Sequence, residues 1–207
     1  MELYLIRHGE CQMPSNVWYD EQKQTMDPPL TERGLYQAGK MARRLKEIRF
    51  DAIYCSDLVR AVQTAQALRR ETKAQILRES ALREIDMGSI FLCPWSDYPQ
   101  AYDVWSRHEE DVPYPGGENG QMVWSRCEPL IHTIVQHEYE RVALVCHAGT
   151  IRCIIAGAIG LPQQHRFYLG CPLENCSISV LCHQEGNFYL HSLNERGSTG
   201  GLARVYQ

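Results

Sequence analysis

The sequence predicts an α/β fold: a three-layer α/β/α sandwich with a mostly parallel central sheet and a cap inserted over one end of it. Three observations lead there. Short apolar runs alternate with helical stripes along most of the chain, several of those runs end abruptly in charged or imidazole side chains, and one stretch of the chain keeps neither period. At 207 residues, the chain is long enough for one domain to bury roughly 70% of the surface its unfolded form exposes. One domain over 1–207 is therefore expected.

The first strand is LYLI (3–6), which ends in Arg7, His8 and Gly9. After a polar loop, Thr31 is placed to cap a helix whose apolar stripe reads Leu35, Ala38, Ala42 and Leu45. FDAIYC (50–55) reads as the second strand and 57–70 as the second helix, a rhythm typical of parallel crossovers. Residues 124–138 read as a further helix, RVALVC (141–146) as a buried strand and 150–160 as the helix that leaves it. Two late strands, 178–182 and 188–191, join through Gly186 and Asn187. Residues 88–120 hold Pro94, Pro99, Pro113, Pro115, Trp95 and Trp105 without a sustained period, which marks them as the cap.

Composition excludes several classes of function. A formal charge of -4 gives no footprint for nucleic acid or a membrane surface, either of which needs clustered Lys and Arg. No apolar run approaches the length of a membrane span, and no signal segment is evident at the N-terminus, so a cytoplasmic location is expected. The nine cysteines show no C-x-x-C pair and several lie in apolar runs, which favours reduced thiols over bridges. No metal site is expected, since the eight histidines are scattered and none forms H-E-x-x-H.

In open parallel sheets, ligands bind beyond the carboxyl ends of the strands. Arg7 and His8, Ser56 through Arg60, and His147 all follow strands, so two arginines and two histidines converge on one crevice. Such a pocket favours a compact anion such as phosphate, and helix N-termini after each strand would add backbone donors. Each residue alone has an ordinary reading as a solvated polar group; their combination is what points to chemistry.

These residues also carry a resemblance. Arg7-His8-Gly9, LTERGLYQA (30–38), CSDLVRAVQTA (55–65), LREIDMG (82–88), PGGE (115–118), HAGTIR (147–152) and NCSIS (175–179) together resemble the histidine phosphatase superfamily, also called phosphoglycerate mutase-like, in the expected order from first strand to last. The resemblance implies a phosphatase that needs no metal and no cofactor and acts on a small-molecule phosphate ester through a phosphohistidine. His8 is then the nucleophile, kept neutral by Arg7, Arg60 and His147. Those three would also bind the phosphoryl oxygens. Gly9 lets the backbone approach the anion, and Glu84 gives the leaving group its proton. Asp86 is a neighbouring rival for that acid. Arg152 is either a ligand or a structural ion pair.

Three departures from the family pattern concern the pocket's edge. Pro14 stands where many members have a phosphate-contacting asparagine, with Asn16 as the possible substitute; Cys11 replaces a hydroxyl residue, and Ala148 replaces a glycine after the second histidine and is a candidate substrate contact. Residues 89–118 contain Arg107 against Asp97, Asp103, Glu109, Glu110, Asp111 and Glu118, an acidic cap that disfavours polyanionic substrates and therefore favours hydrolysis over mutase activity. A phosphotransferase of the mutase type and a non-catalytic phosphate-binding module remain the alternatives, as does a phosphoprotein substrate. Trp95, Tyr98, Tyr102, Trp105 and Tyr114 either wall the leaving-group pocket or form the cap's own core.

Overall fold

The computed structural model describes residues 1–13, 16–91, 97, 99–170 and 172–196. Its central sheet is six-stranded, in the order β5-β4-β6-β1-β7-β8. Strands β5 (Gln75–Arg78), β4 (Ala52–Cys55), β6 (Arg141–Cys146) and β1 (Glu2–Arg7) run parallel, and β7 (Ile178–Gln184) and β8 (Asn187–Glu195) complete the sheet as an antiparallel hairpin. A small hairpin, β2 (Tyr19–Asp20) with β3 (Thr25–Met26), lies in the loop after β1.

Alternation along the strands sorts the core into two layers. Leu3 and Leu5 of β1, with Val142, Leu144 and Cys146 of β6, face helices α4 (Gly120–Val135) and α5 (Ala148–Ala158). Tyr4 and Ile6, with Ala143 and Val145, face α1 (Glu32–Arg44) and α2 (Val59–Thr72). This is the three-layer sandwich the sequence predicts.

Thr31 caps α1 as expected, its Oγ1 accepting from the Gly34 amide at 2.9 Å. The buried stripe is different from the one expected. Leu35 is 51% exposed, and the inward face is Gly34, Ala38, Met41, Ala42 and Leu45. Glycine occupies the first position because the helix start meets the Glu10 backbone there: a Cβ on Gly34 would stand 1.9 Å from the Glu10 carbonyl oxygen.

The cap segment is not wholly irregular, since Pro99–Arg107 form helix α3. Strand β5 was not foreseen either; as an edge strand it is only partly buried, and QILR carries no apolar run. Of the cap's aromatic residues, Tyr114 is buried in the main core against the α4 layer and Tyr102 is exposed. Trp95, Tyr98, Pro14 and the side chains of Trp105 and Asn16 lie outside what is described.

Candidate active site

The parallel register sets the two histidines side by side. Arg7 is the register partner of Cys146, so the residues that follow, His8 and His147, leave the sheet level with each other. Their rings are 5.0 Å apart between centroids at 61°. The His8 amide donates to the Cys146 carbonyl at 3.0 Å, and its own carbonyl accepts from Asn175 Nδ2 at 3.1 Å and the Cys176 amide at 3.3 Å. A third tie comes through Gly9, whose amide donates to Thr64 Oγ1 at 3.1 Å. Thr64 Oγ1 in turn donates to the Arg60 carbonyl at 2.8 Å, fastening the end of β1 to the first turn of α2.

His8 Nδ1 lies 2.7 Å from the Gly9 carbonyl oxygen. A carbonyl only accepts, so Nδ1 carries the hydrogen and Nε2 keeps its lone pair. Burial, then the charge of Arg60 and of Arg7, pushes the His8 pKa down to about 3. Desolvation thus leads, ahead of the repulsion expected from the sequence, and His147 is not among the causes. His147 is fully buried, and among the described residues neither ring nitrogen has a hydrogen-bond partner; burial first, then Arg60 and His8, holds its pKa well below the ordinary imidazole value.

Arg60 is 8% exposed and sits 3.8 Å from Asp27 Oδ1, and Arg7 donates from Nη1 to the Leu173 carbonyl. Burial lowers the pKa of both guanidinium groups while the charge of Glu84 acts in the opposite sense. Its carboxylate accepts from the Ile85, Thr150 and Gly149 amides at 2.9, 3.1 and 3.3 Å and from Thr150 Oγ1 at 3.3 Å. Ala148 opens α5 directly after His147, the N-cap of that helix.

Three expectations are corrected here. The Gly149 and Thr150 amides of α5 are engaged by Glu84, and the Val59 amide at the start of α2 by Asp27 Oδ1 at 2.7 Å, so carboxylates of the protein take these three helix donors. Gly9 is required by another close approach: its Cβ would stand 2.6 Å from the Gly34 carbonyl oxygen. The acidic cap is partly neutralised by basic partners, from other elements for Asp111 and Glu118 and from the same helix for Asp103. Asp111 binds Arg166 at 2.6 Å and caps α4 through the Gly120 and Gln121 amides, Glu118 binds Arg126 at 2.8 Å, and Asp103 pairs with Arg107. Its formal charge therefore overstates its repulsion of anions.

Arg152 donates to the Gly170 carbonyl at 2.7 Å and lies over the Phe167 ring. Asp86 uses its carboxylate on the Gly88 amide at 2.8 Å, a turn contact, and of the two it is Glu84 whose charge is felt by Arg7 and Arg60. Among the described residues, no group of three or more His, Cys, Asp or Glu is arranged to hold a metal ion, the described cysteines are free thiols, and no helix is long and apolar enough to cross a membrane.

A sheet that delivers two neutral histidines, two arginines and a glutamate to the carboxyl ends of its parallel strands defines an anion-handling α/β site. Residues 3–196 match the model of the histidine phosphatase superfamily (branch 1), and the chain belongs to that superfamily. It is 30% identical over 193 residues to "Probable phosphoglycerate mutase GpmB" of Salmonella choleraesuis, covering 91% of this chain and 87% of that one. Among solved structures, mycobacterial glucosyl-3-phosphoglycerate phosphatase complexed with VO3 superposes with a TM-score of 0.80 at 30% identity, over 94% of this chain and 99% of that chain. The alpha-ribazole phosphatase of Shigella flexneri gives 0.76 at 25% identity, over 96% and 98%.

Proposed function

We propose that the protein hydrolyses a small phosphorylated metabolite, a phosphomonoester, by way of a phosphohistidine at His8. The observation that carries this reading is the His8 ring, whose Nδ1 hydrogen is committed to the Gly9 carbonyl while burial beside two arginines keeps Nε2 unprotonated. Nε2 forms a bond to phosphorus as the bond to the ester oxygen breaks. The departing alkoxide takes a proton from Glu84. Water then attacks phosphorus, Glu84 takes a proton from it, and inorganic phosphate and free His8 are restored. Arg7, Arg60 and a His147 with two unpaired nitrogens stabilise the charge on the transferring phosphoryl oxygens. No step calls for a metal.

Release to water is favoured over transfer to a second substrate hydroxyl by the engagement of nearby cations. Arg83 binds Asp57, Arg126 binds Glu118 and Arg166 binds Asp111, at 2.7, 2.8 and 2.6 Å. None of these three is free to hold a second anionic group of a bisphosphate. The mutase reading rests on the names of relatives such as GpmB, and the same experiment separates the two. A panel of phosphomonoesters, including phosphoglycerates, is incubated with excess chelator, and inorganic phosphate and isomerised phosphoglycerate are both measured. Chelator-resistant phosphate release that falls about 10⁴-fold or more in His8→Ala is expected. Isomerisation without release would establish the mutase, and activity surviving in His8→Ala would overturn the mechanism.

A further inference from the structure

The loop that carries Glu84 is gripped by a residue of a different element. Arg126, in the second turn of α4, donates Nη1 to the Ala81 carbonyl and Nη2 to the carbonyls of Arg83 and Glu84, at 3.0 and 3.2 Å. Its Nε and Nη2 also bind the two oxygens of Glu118 at 2.8 and 3.0 Å. Glu118 reaches the far side of the same loop: its Oε2 accepts from the Asp86 amide at 2.9 Å, its amide donates to the Asp86 carbonyl at 2.8 Å, and its carbonyl accepts from the Tyr114 amide. Backbone bonds on both flanks of Glu84 thus converge on one bidentate ion pair.

We infer that the Arg126–Glu118 pair is the positioning clamp of the general acid, fixing Glu84 against the first turn of α5 while touching neither substrate nor the reacting atoms. This rests on the phosphohistidine reading above, with Glu84 as proton donor. Arg126 is three-quarters buried, at 24% side-chain exposure, and Glu118 at 19%, so the fork is held away from most competing water. The α5 amides that Glu84 accepts from are fixed by their helix. The loop side is therefore the adjustable one, and a shift there moves the carboxyl away from the leaving oxygen.

The chemistry supplies a readout that separates positioning from general damage. An alkoxide leaving group needs the proton from Glu84, whereas p-nitrophenolate leaves without one. Wild type, Glu84→Gln, Arg126→Lys and Glu118→Gln are compared on p-nitrophenyl phosphate and an alkyl phosphate such as glycerol phosphate, with kcat/KM taken per folded enzyme. Arg126→Lys keeps the charge but cannot fork, and Glu118→Gln keeps an acceptor for the Asp86 amide but not the ion pair.

Both clamp variants should lose about 30-fold or more in kcat/KM on the alkyl ester and less than about threefold on the aryl ester, since kcat/KM reports departure of the leaving group and not the water step the two esters share. Equal losses on the two esters, or none, would overturn the clamp. If Glu84→Gln itself shows no preference between the esters, the reading of Glu84 as acid fails and the clamp fails with it. Should Glu84→Gln be selective and both clamp variants not be, the clamp alone is wrong.

Discussion

The site has two walls, and they are built by different means. One wall is the row of strand ends that delivers Arg7, His8 and His147, where position follows from parallel register and main-chain ladders. The other is the loop with Glu84, where position follows from side chains that reach backbone from afar: Arg126, Glu118 and Thr150. A ladder places consecutive residues for as long as the strand continues, so one wall carries several groups at once. A loop wall carries one carboxylate and needs a dedicated set of bonds to do so. The nucleophile and the acid thus depend on separate parts of the molecule.

Two glycines, one in each wall, give the largest test of that separation. A Cβ at Gly34 would meet the Glu10 carbonyl oxygen at 1.9 Å, and one at Gly117 the Asp86 carbonyl oxygen at 2.3 Å. Backbone is the obstacle in both cases, so a methyl group forces a shift costing about 3 kcal/mol in stability. Gly34→Ala displaces the segment after His8 and should lower turnover of aryl and alkyl phosphates alike. Gly117→Ala displaces only the acid loop and should spare the aryl ester. Urea titrations with kcat/KM on both esters read the two effects, and matching activity profiles would show that the walls move as one.

The histidines set the second effect, on stability against pH. His8 has a folded pKa near 3 against an ordinary value near 6.5. Between those values the unfolded chain binds the additional proton, so stability falls as pH drops from 6.5 toward 3. From pH 7 to 5, His8 accounts for about 2 kcal/mol of that loss, and His147 adds to it in the same direction. His8→Gln should accordingly lose about 2 kcal/mol less than wild type over this interval, by urea unfolding at each pH. An equal loss in the variant would mean that His8 protonates readily in the folded protein, and the strand wall would not hold its nucleophile neutral.

The same division explains what the sequence could and could not disclose. The strand wall was readable because each apolar run stops at a chemistry-bearing residue; the order of the strands, with β6 between β4 and β1, was not. The α1 stripe was misread at its first position because the buried residue there, Gly34, has no apolar side chain to signal it. Arg126 was not singled out at all. Three of its five bonds to the acid loop and its partner go to carbonyls of Ala81, Arg83 and Glu84, and a carbonyl acceptor leaves no trace in side-chain pattern. PGGE was noted only as part of a resemblance; its physical role, gripping the loop through Glu118 and Gly117, needs residues some thirty positions apart to meet.

Asp57 provides the smallest and sharpest comparison. Its carboxylate takes a bidentate fork from Arg83, at 2.8 Å to Nε and 2.7 Å to Nη2, and so ties the acid loop to the strand wall just before α2. Both side chains keep partial access to water, at 29% and 23% exposure, which holds the pair to about 1 kcal/mol. Arg83 first, then its charge, lowers the Asp57 pKa, so that contribution is present near neutral pH and fades as acid protonates Asp57. Asp57→Asn should lower stability by about 1 kcal/mol at pH 7 while kcat on the alkyl ester changes less than in Arg126→Lys, because Arg126 holds the carbonyls of residues 83 and 84 directly. A larger alkyl-selective loss in Asp57→Asn would mean that the acid is aligned through the strand wall after all, and that the two walls are one mechanical unit.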